Sequence, residues 1–163
     1  FTNNFQYVDE DDKVQTSVHG VGSVWATMLW DLTWAYINKY GYDDNKYTGT
    51  GGNNKIMQLV IDGLKLMPCS PTFVTARDAI IAADQATTGG RDFCMIWDVF
   101  ASRGLGINAS AGDGNVGNDQ VEDYTRPVAG ANCSTLGTNE FDSEDVIQLM
   151  VYSMFESVNI LEM

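Results

Sequence analysis

The chain has 163 residues, 44% of them hydrophobic and 19% charged, which suits one globular domain with a real core and excludes a disordered or fibrous protein. Lys and Arg number 9 against 22 Asp and Glu, a formal charge of -13 that repels phosphate backbones and makes nucleic acid an unsuitable partner. No apolar run reaches the roughly 18 residues expected of a membrane span.

In chain order, residues 1–18 are polar, carry the acidic run Asp9-Glu10-Asp11-Asp12, and read as an irregular entry. The first residue is Phe rather than Met, so the chain is expected to be a piece of a longer protein. From Val21 onward, Val24, Met28, Leu32, Tyr36 and Ile37 recur at helical spacing, and Trp25, Leu29 and Trp34 widen the stripe. That pattern predicts a long, mostly buried helix ended by Gly41 and followed by a polar loop over 43–54.

Asn53 or Asn54 can cap a second helix, with Ile56, Leu59, Val60, Gly63, Leu64 and Met67 inward and Pro68 and Pro71 stopping it. Thr72 is the expected N-cap of a third helix carrying Phe73, Ala76, Ala79, Ile80 and Ala83 at the helical period, closed by Gly89 and Gly90. A fourth helix is expected over about 91–102, with Phe93, Ile96, Trp97 and Phe100 inward. Residues 109–138 are rich in Gly, Asn, Asp, Ser and Thr and predict a long surface loop, and 146–152 has strand character.

His19, the sole histidine, stands immediately before the first predicted helix. One imidazole can serve as a hydrogen-bond donor or titrate near neutrality, but it cannot build a multi-histidine metal site. A catalytic zinc usually takes three protein ligands plus water, and no HExxH string is present, so zinc has no ligand set in these residues. By itself, without the strings around it, His19 reads as a surface or structural residue.

Two further features have a bland reading beside a sharp one. Asp113, Asn115 and Asp119 put oxygen ligands on a glycine-rich loop that could hold calcium, yet EF-hand spacing and a bidentate Glu are missing, and an Asx-rich turn explains the same residues. Trp25, Trp30, Trp34 and Trp97 could stack a sugar, but their helical placement predicts buried core.

Several uncommon strings occur in a fixed order. The first is His19-Gly20-Val21-Gly22-Ser23-Val24-Trp25-Ala26. The second runs Gln58-Leu59-Val60-Ile61-Asp62-Gly63-Leu64-Lys65-Leu66-Met67-Pro68-Cys69-Ser70-Pro71-Thr72-Phe73. Ala76-Arg77-Asp78-Ala79-Ile80, Ala83-Asp84 and Trp97-Asp98-Val99-Phe100-Ala101-Ser102-Arg103-Gly104-Leu105-Gly106 complete the set. Over about residues 15–110 the chain resembles the C-terminal helical half of fungalysin-type zinc metallopeptidases, distant relatives of thermolysin.

The resemblance implies a mainly α fold of four to five helices, with the helical subdomain over 1–110, an irregular acidic region over 111–140 and a tail over 141–163. In that family the HExxH helix and the downstream glutamate ligand precede the segment seen here, so zinc would be held by the parent enzyme and not by this chain. The resemblance gives His19 the part of a donor to the oxyanion of the tetrahedral intermediate. Asp12 is the nearest preceding acid that could orient it, and Tyr7 and residues 20–25 would line the cleft floor. Family members tend to carry both Cys69 and Cys94, which implies a disulfide between them and leaves Cys133 unpaired.

The expected function is the C-terminal part of a secreted, extracellular zinc metalloendopeptidase, inactive alone. Its partners would be the missing N-terminal catalytic half and a protein or peptide substrate. Two other classes compete: a non-catalytic helical scaffold or binding module, and a calcium-dependent adhesion module built on the Asp113 loop. The tail resembles the start of a bacterial C-terminal sorting segment, although Tyr152-Ser153-Met154-Phe155 stands where such tails read Tyr-Pro-Asn-Pro.

Overall fold

The computed structural model describes residues 18–113, 116 and 119–127, all within the unit Phe1–Asn132. The strand expected at 146–152, the tail over 141–163 and Cys133 lie outside the described residues. Four helices follow in order: α1 (Val18–Tyr40), α2 (Gly52–Leu66), α3 (Phe73–Thr88) and α4 (Phe93–Ser102). The described fold is mainly helical, as the sequence predicts. α1 packs on α2 and α4, and α3 packs on the same two, so the helices close around Met28, Leu32, Ile80, Ile96, Phe100 and Leu105.

Local chemistry explains most boundaries. Val24, Met28, Leu32 and Tyr36 recur every four residues and are the buried edge of α1. Thr72 caps α3 as anticipated: its hydroxyl accepts from the Thr75 N–H, and the Thr75 side chain accepts from the Thr72 N–H. Gly89 ends α3 in the left-handed region at φ 73°, which an L side chain adopts only at a cost. Gly63 lets α2 lie close on α3, since a Cβ there would come within 2.5 Å of Ile80 Cδ1.

Five expectations need correction. α1 begins at Val18, so His19 lies in its first turn rather than before it. Periodicity could not show this, because His19 and Val21 are exposed and Gly20 carries no side chain, so no apolar stripe marks the turn. Neither Asn53 nor Asn54 caps α2. Gly51 occupies the cap position, and Asn53 reaches back to accept from the Asp43 N–H (3.0 Å) and donate to the Asp43 carbonyl (2.9 Å). Leu64 points outward, 53% exposed, because α2 buries a narrow face made by Ile56, Leu59 and Gly63.

The remaining corrections concern tryptophan and cysteine. Trp97 is buried and Trp25 is partly buried, but Trp30 and Trp34 are 59% and 49% exposed, because they lie on the side of α1 opposite the edge that packs into the described core. Cys69 is a free, exposed thiol while Cys94 is disulfide-bonded, so the pairing Cys69–Cys94 is not formed. The reason is reach. The two cysteines flank opposite ends of α3, whose 16 residues span about 24 Å, and a disulfide tolerates Cα atoms no more than about 7 Å apart.

After α4 the chain turns at Gly104 (φ 79°) and runs irregularly, with isolated bridges Leu105–Asp123 and Ser110–Val121. Arg77 secures this segment from within. Its guanidinium is buried, donates to the carbonyls of Leu105 and Gly106, pairs with Asp78, and lies 4.6 Å from the Trp97 ring centroid. One charged group thereby donates to two backbone carbonyls, of which Gly106 also accepts from the Ala109 N–H.

Candidate functional site

His19 occupies the first turn of α1 and is exposed to solvent. Its carbonyl accepts from Ser23 Oγ at 3.0 Å, and the Ser23 carbonyl accepts from Thr27 Oγ1 at 2.9 Å, so successive hydroxyls bond back one turn along this end of the helix. The first turn of α1 itself carries no acidic residue, so the positive end of the helix dipole is not offset by its own side chains. Three residues further on, Gly22 has open space where a Cβ would sit.

The turn is mounted through Trp25. Its indole stacks on Phe73 of α3 (6.0 Å, 11°) and on Phe100 of α4 (5.7 Å, 12°), a sandwich that fixes this end of α1 to both neighbours. Asp12 and Tyr7, expected near His19, lie outside the described residues. Of residues 20–25, Val21, Gly22 and Ser23 are exposed, whereas Val24 is buried in the core.

The far end of α1 carries a cluster that sequence reasoning missed. Asp92 accepts from Lys39 Nζ and from the Tyr40 hydroxyl, each at 2.6 Å, while its own N–H donates to Asp84 at 3.2 Å. Asp84, fully buried, also accepts from the Thr88 hydroxyl. Burial pushes the Asp84 carboxyl up from its ordinary range against those two donors, with the nearby Asp92 charge adding to the rise. Burial, then the charges of Asp92 and Asp84, hold the Tyr36 phenol far above its usual value. A cavity of about 240 Å³ opens beside the cluster, lined by Tyr36, Tyr40, Lys55, Asp84, Arg91 and Asp92 among others. The sequence signal was weak, since Asp84 and Asp92 are eight residues apart with a glycine turn between them.

The Asp113 loop is closed by its own atoms. The Asp113 N–H donates to Asp119 Oδ2 at 2.7 Å, and the Val116 N–H donates to the Asp113 carbonyl at 2.8 Å. Asn115 lies outside the described residues.

The model of the fungalysin metallopeptidases (M36) matches residues 1–109, a span that includes His19 and all four helices. The chain belongs to the fungalysin metallopeptidase family. Its relatives include the extracellular metalloproteinase 2 of Arthroderma gypseum, 46% identical over 123 residues that cover 72% of this chain and 19% of the relative. The extracellular metalloproteinase 2 of Trichophyton tonsurans is 45% identical with the same coverage, 72% and 19%. The extracellular metalloproteinase of Pyrenophora tritici-repentis is 42% identical over 139 residues, covering 81% of this chain and 20% of that protein. The chain therefore spans about a fifth of the length of these relatives.

A metallopeptidase family implies a metal, typically zinc, in the parent enzyme. Among the described residues no group of three or more His, Cys, Asp and Glu could hold an ion, and the whole sequence has a single His. The buried carboxylates Asp84 and Asp92 are engaged by Thr88, Lys39, Tyr40 and a backbone N–H instead.

Proposed function

We propose that this chain is the C-terminal helical part of a secreted zinc metalloendopeptidase, supplying His19 as a hydrogen-bond donor and hydrolysing nothing by itself. The supporting observation is that the only histidine falls inside the family match, exposed on the first turn of α1. Peptide hydrolysis builds negative charge on the carbonyl oxygen, and a donor aimed at that oxygen stabilises the transition state more than the bound substrate. An imidazole N–H can supply the hydrogen bond, and the positive helix end beside it favours the same charge. The metal ligands and the proton-shuttling base belong to polypeptide outside this sequence.

The test grafts residues 1–109 in place of the matched segment of the Trichophyton tonsurans relative. The graft should cleave casein, the isolated chain should neither cleave it nor hold stoichiometric zinc, and His19→Ala in the graft should lower kcat about a hundredfold with a smaller change in KM. Unchanged kcat removes His19 from the chemistry. A graft that is folded but inert favours the second reading, a non-catalytic helical scaffold, which the lack of a metal-binding group among the described residues also supports.

A further inference from the structure

With 22 acidic residues to 9 basic ones, an unpaired base is the exception to be expected least in this chain. Lys39, Lys65, Arg77, Arg103 and Arg126 each pair with an aspartate. Among the described residues, Lys46, Lys55 and Arg91 form no ion pair, and all three border two adjoining hollows that share Lys55 and Gln58. Lys55 and Arg91 line the cavity of about 240 Å³ beside Asp84 and Asp92, and Lys46 lines its neighbour. The acids of that cavity are all engaged. Asp62 accepts from Lys65 and Gln58, Asp84 from Thr88 and a backbone N–H, and Asp92 from Lys39 and Tyr40. The lining therefore offers two cations without a counter-charge and no carboxylate without a donor, which selects an anion over a metal ion.

We infer that this cavity is a binding site for a small polyvalent oxyanion, one that carries a phosphate group or paired carboxylates. Arg91 supplies a planar fork of N–H donors suited to two oxygens of one such group, and Lys55 supplies a second positive charge. Lys55 Nζ lies 5.2 Å from the centre of the Tyr40 ring, which places that charge at the cavity wall. Leu59 and the rings of Tyr36 and Tyr40 add an apolar part on which a short carbon chain can rest. The space equals that of about eight waters in the liquid, enough for an inorganic anion or a short dicarboxylate and too little for a folded partner. Its walls come from α1 (Tyr40), α2 (Lys55), α3 (Thr88) and the turn before α4 (Arg91), so a bound anion ties these parts of the fold together.

Titration calorimetry and thermal melting of the full chain test this, with inorganic phosphate and succinate compared with chloride at equal ionic strength. Phosphate or succinate should bind saturably, one per chain, and raise the Tm, whereas chloride should do neither. Phosphate alone assigns a phosphate-bearing ligand, succinate alone a dicarboxylate, and binding of both a site for either group. Lys55→Gln and Arg91→Gln break no ion pair, so each variant should fold and bind about tenfold more weakly. The double variant should not bind. Lys46→Gln removes the same charge outside the cavity and should leave the affinity unchanged. Binding of neither anion overturns the inference. So does an equal loss with Lys46→Gln, which would make net charge the attraction, or binding that survives the double substitution. A rise in Tm with calcium that Asp84→Asn abolishes would put a cation there instead.

Discussion

The guanidinium carbon of Arg77 lies 4.6 Å from the centre of the Trp97 ring, deep enough that Arg77 is only 4% exposed. From that position it holds the Leu105 and Gly106 carbonyls, which joins α3 to the segment leaving α4.

Arg77→Met should therefore destabilise the chain by about 2–4 kcal/mol, since charged hydrogen bonds and a desolvated cation–π contact are lost and the Leu105 carbonyl loses its donor. Arg77→Lys should recover only part of this, because one ammonium cannot serve the two carbonyls, pair with Asp78 and lie flat on an indole at once. Urea unfolding measures both, and equal stability of the Met and wild-type chains would rule out the clamp.

Gly63→Ala should cost about 1 kcal/mol net. Alanine favours the helix by roughly that amount over glycine, but overpacking against Ile80 opposes it by more. Adding Ile80→Val removes the Cδ1 that the new methyl meets, so the double variant should be more stable than the sum of the single changes predicts. Strict additivity would show that α2 shifts to make room.

Stability should carry an acid-side signature from Asp84. Its folded carboxyl titrates above the ordinary value of about 3.9, so between that pH and the raised value the native state binds more protons than the unfolded chain. Stability from this group falls as pH rises through that window and returns on acidification. Asp84→Asn removes the term, so the stability difference between Asn variant and wild type should move in the variant's favour from pH 4 to pH 7. Denaturation at both values reads this, and a difference independent of pH would show that Asp84 titrates normally.

Cys69 should react with a thiol reagent in the folded chain, whereas Cys94 should react only after reduction. Peptide mapping of the label distinguishes them. Labelling of Cys94 without reductant would contradict its bonded state.

Sequence made the helices legible wherever a local rule set them. The Thr72 cap needs only Thr75, three residues away, and the Gly89 stop needs only its own backbone. The same reading failed where a distant partner decides. Asn53 looks like a cap until Asp43 is seen beside it, and Arg77 looks like any surface cation until Trp97 and two carbonyls enclose it. Trp30 and Trp34 show a third limit. Periodicity finds the face that the described helices cover and says nothing about whether anything covers the other.

For the candidate site, His19 and its family context were readable because they are local strings, and its mounting was not, because Trp25 works through Phe73 and Phe100 from two other helices.

Trp25 is the fulcrum of α1 nearest His19, six residues or about 9 Å along the axis from it. A tilt of about 5° about that point would swing the imidazole by roughly 0.8 Å, beyond the tolerance of about 0.5 Å that a preorganised donor allows. If His19 has the donor role proposed above, small changes in the rings of Phe73 or Phe100 would then be felt as a mis-aimed hydrogen bond. The aromatic sandwich makes aim, rather than mere endurance, the property most exposed to drift in this part of the molecule.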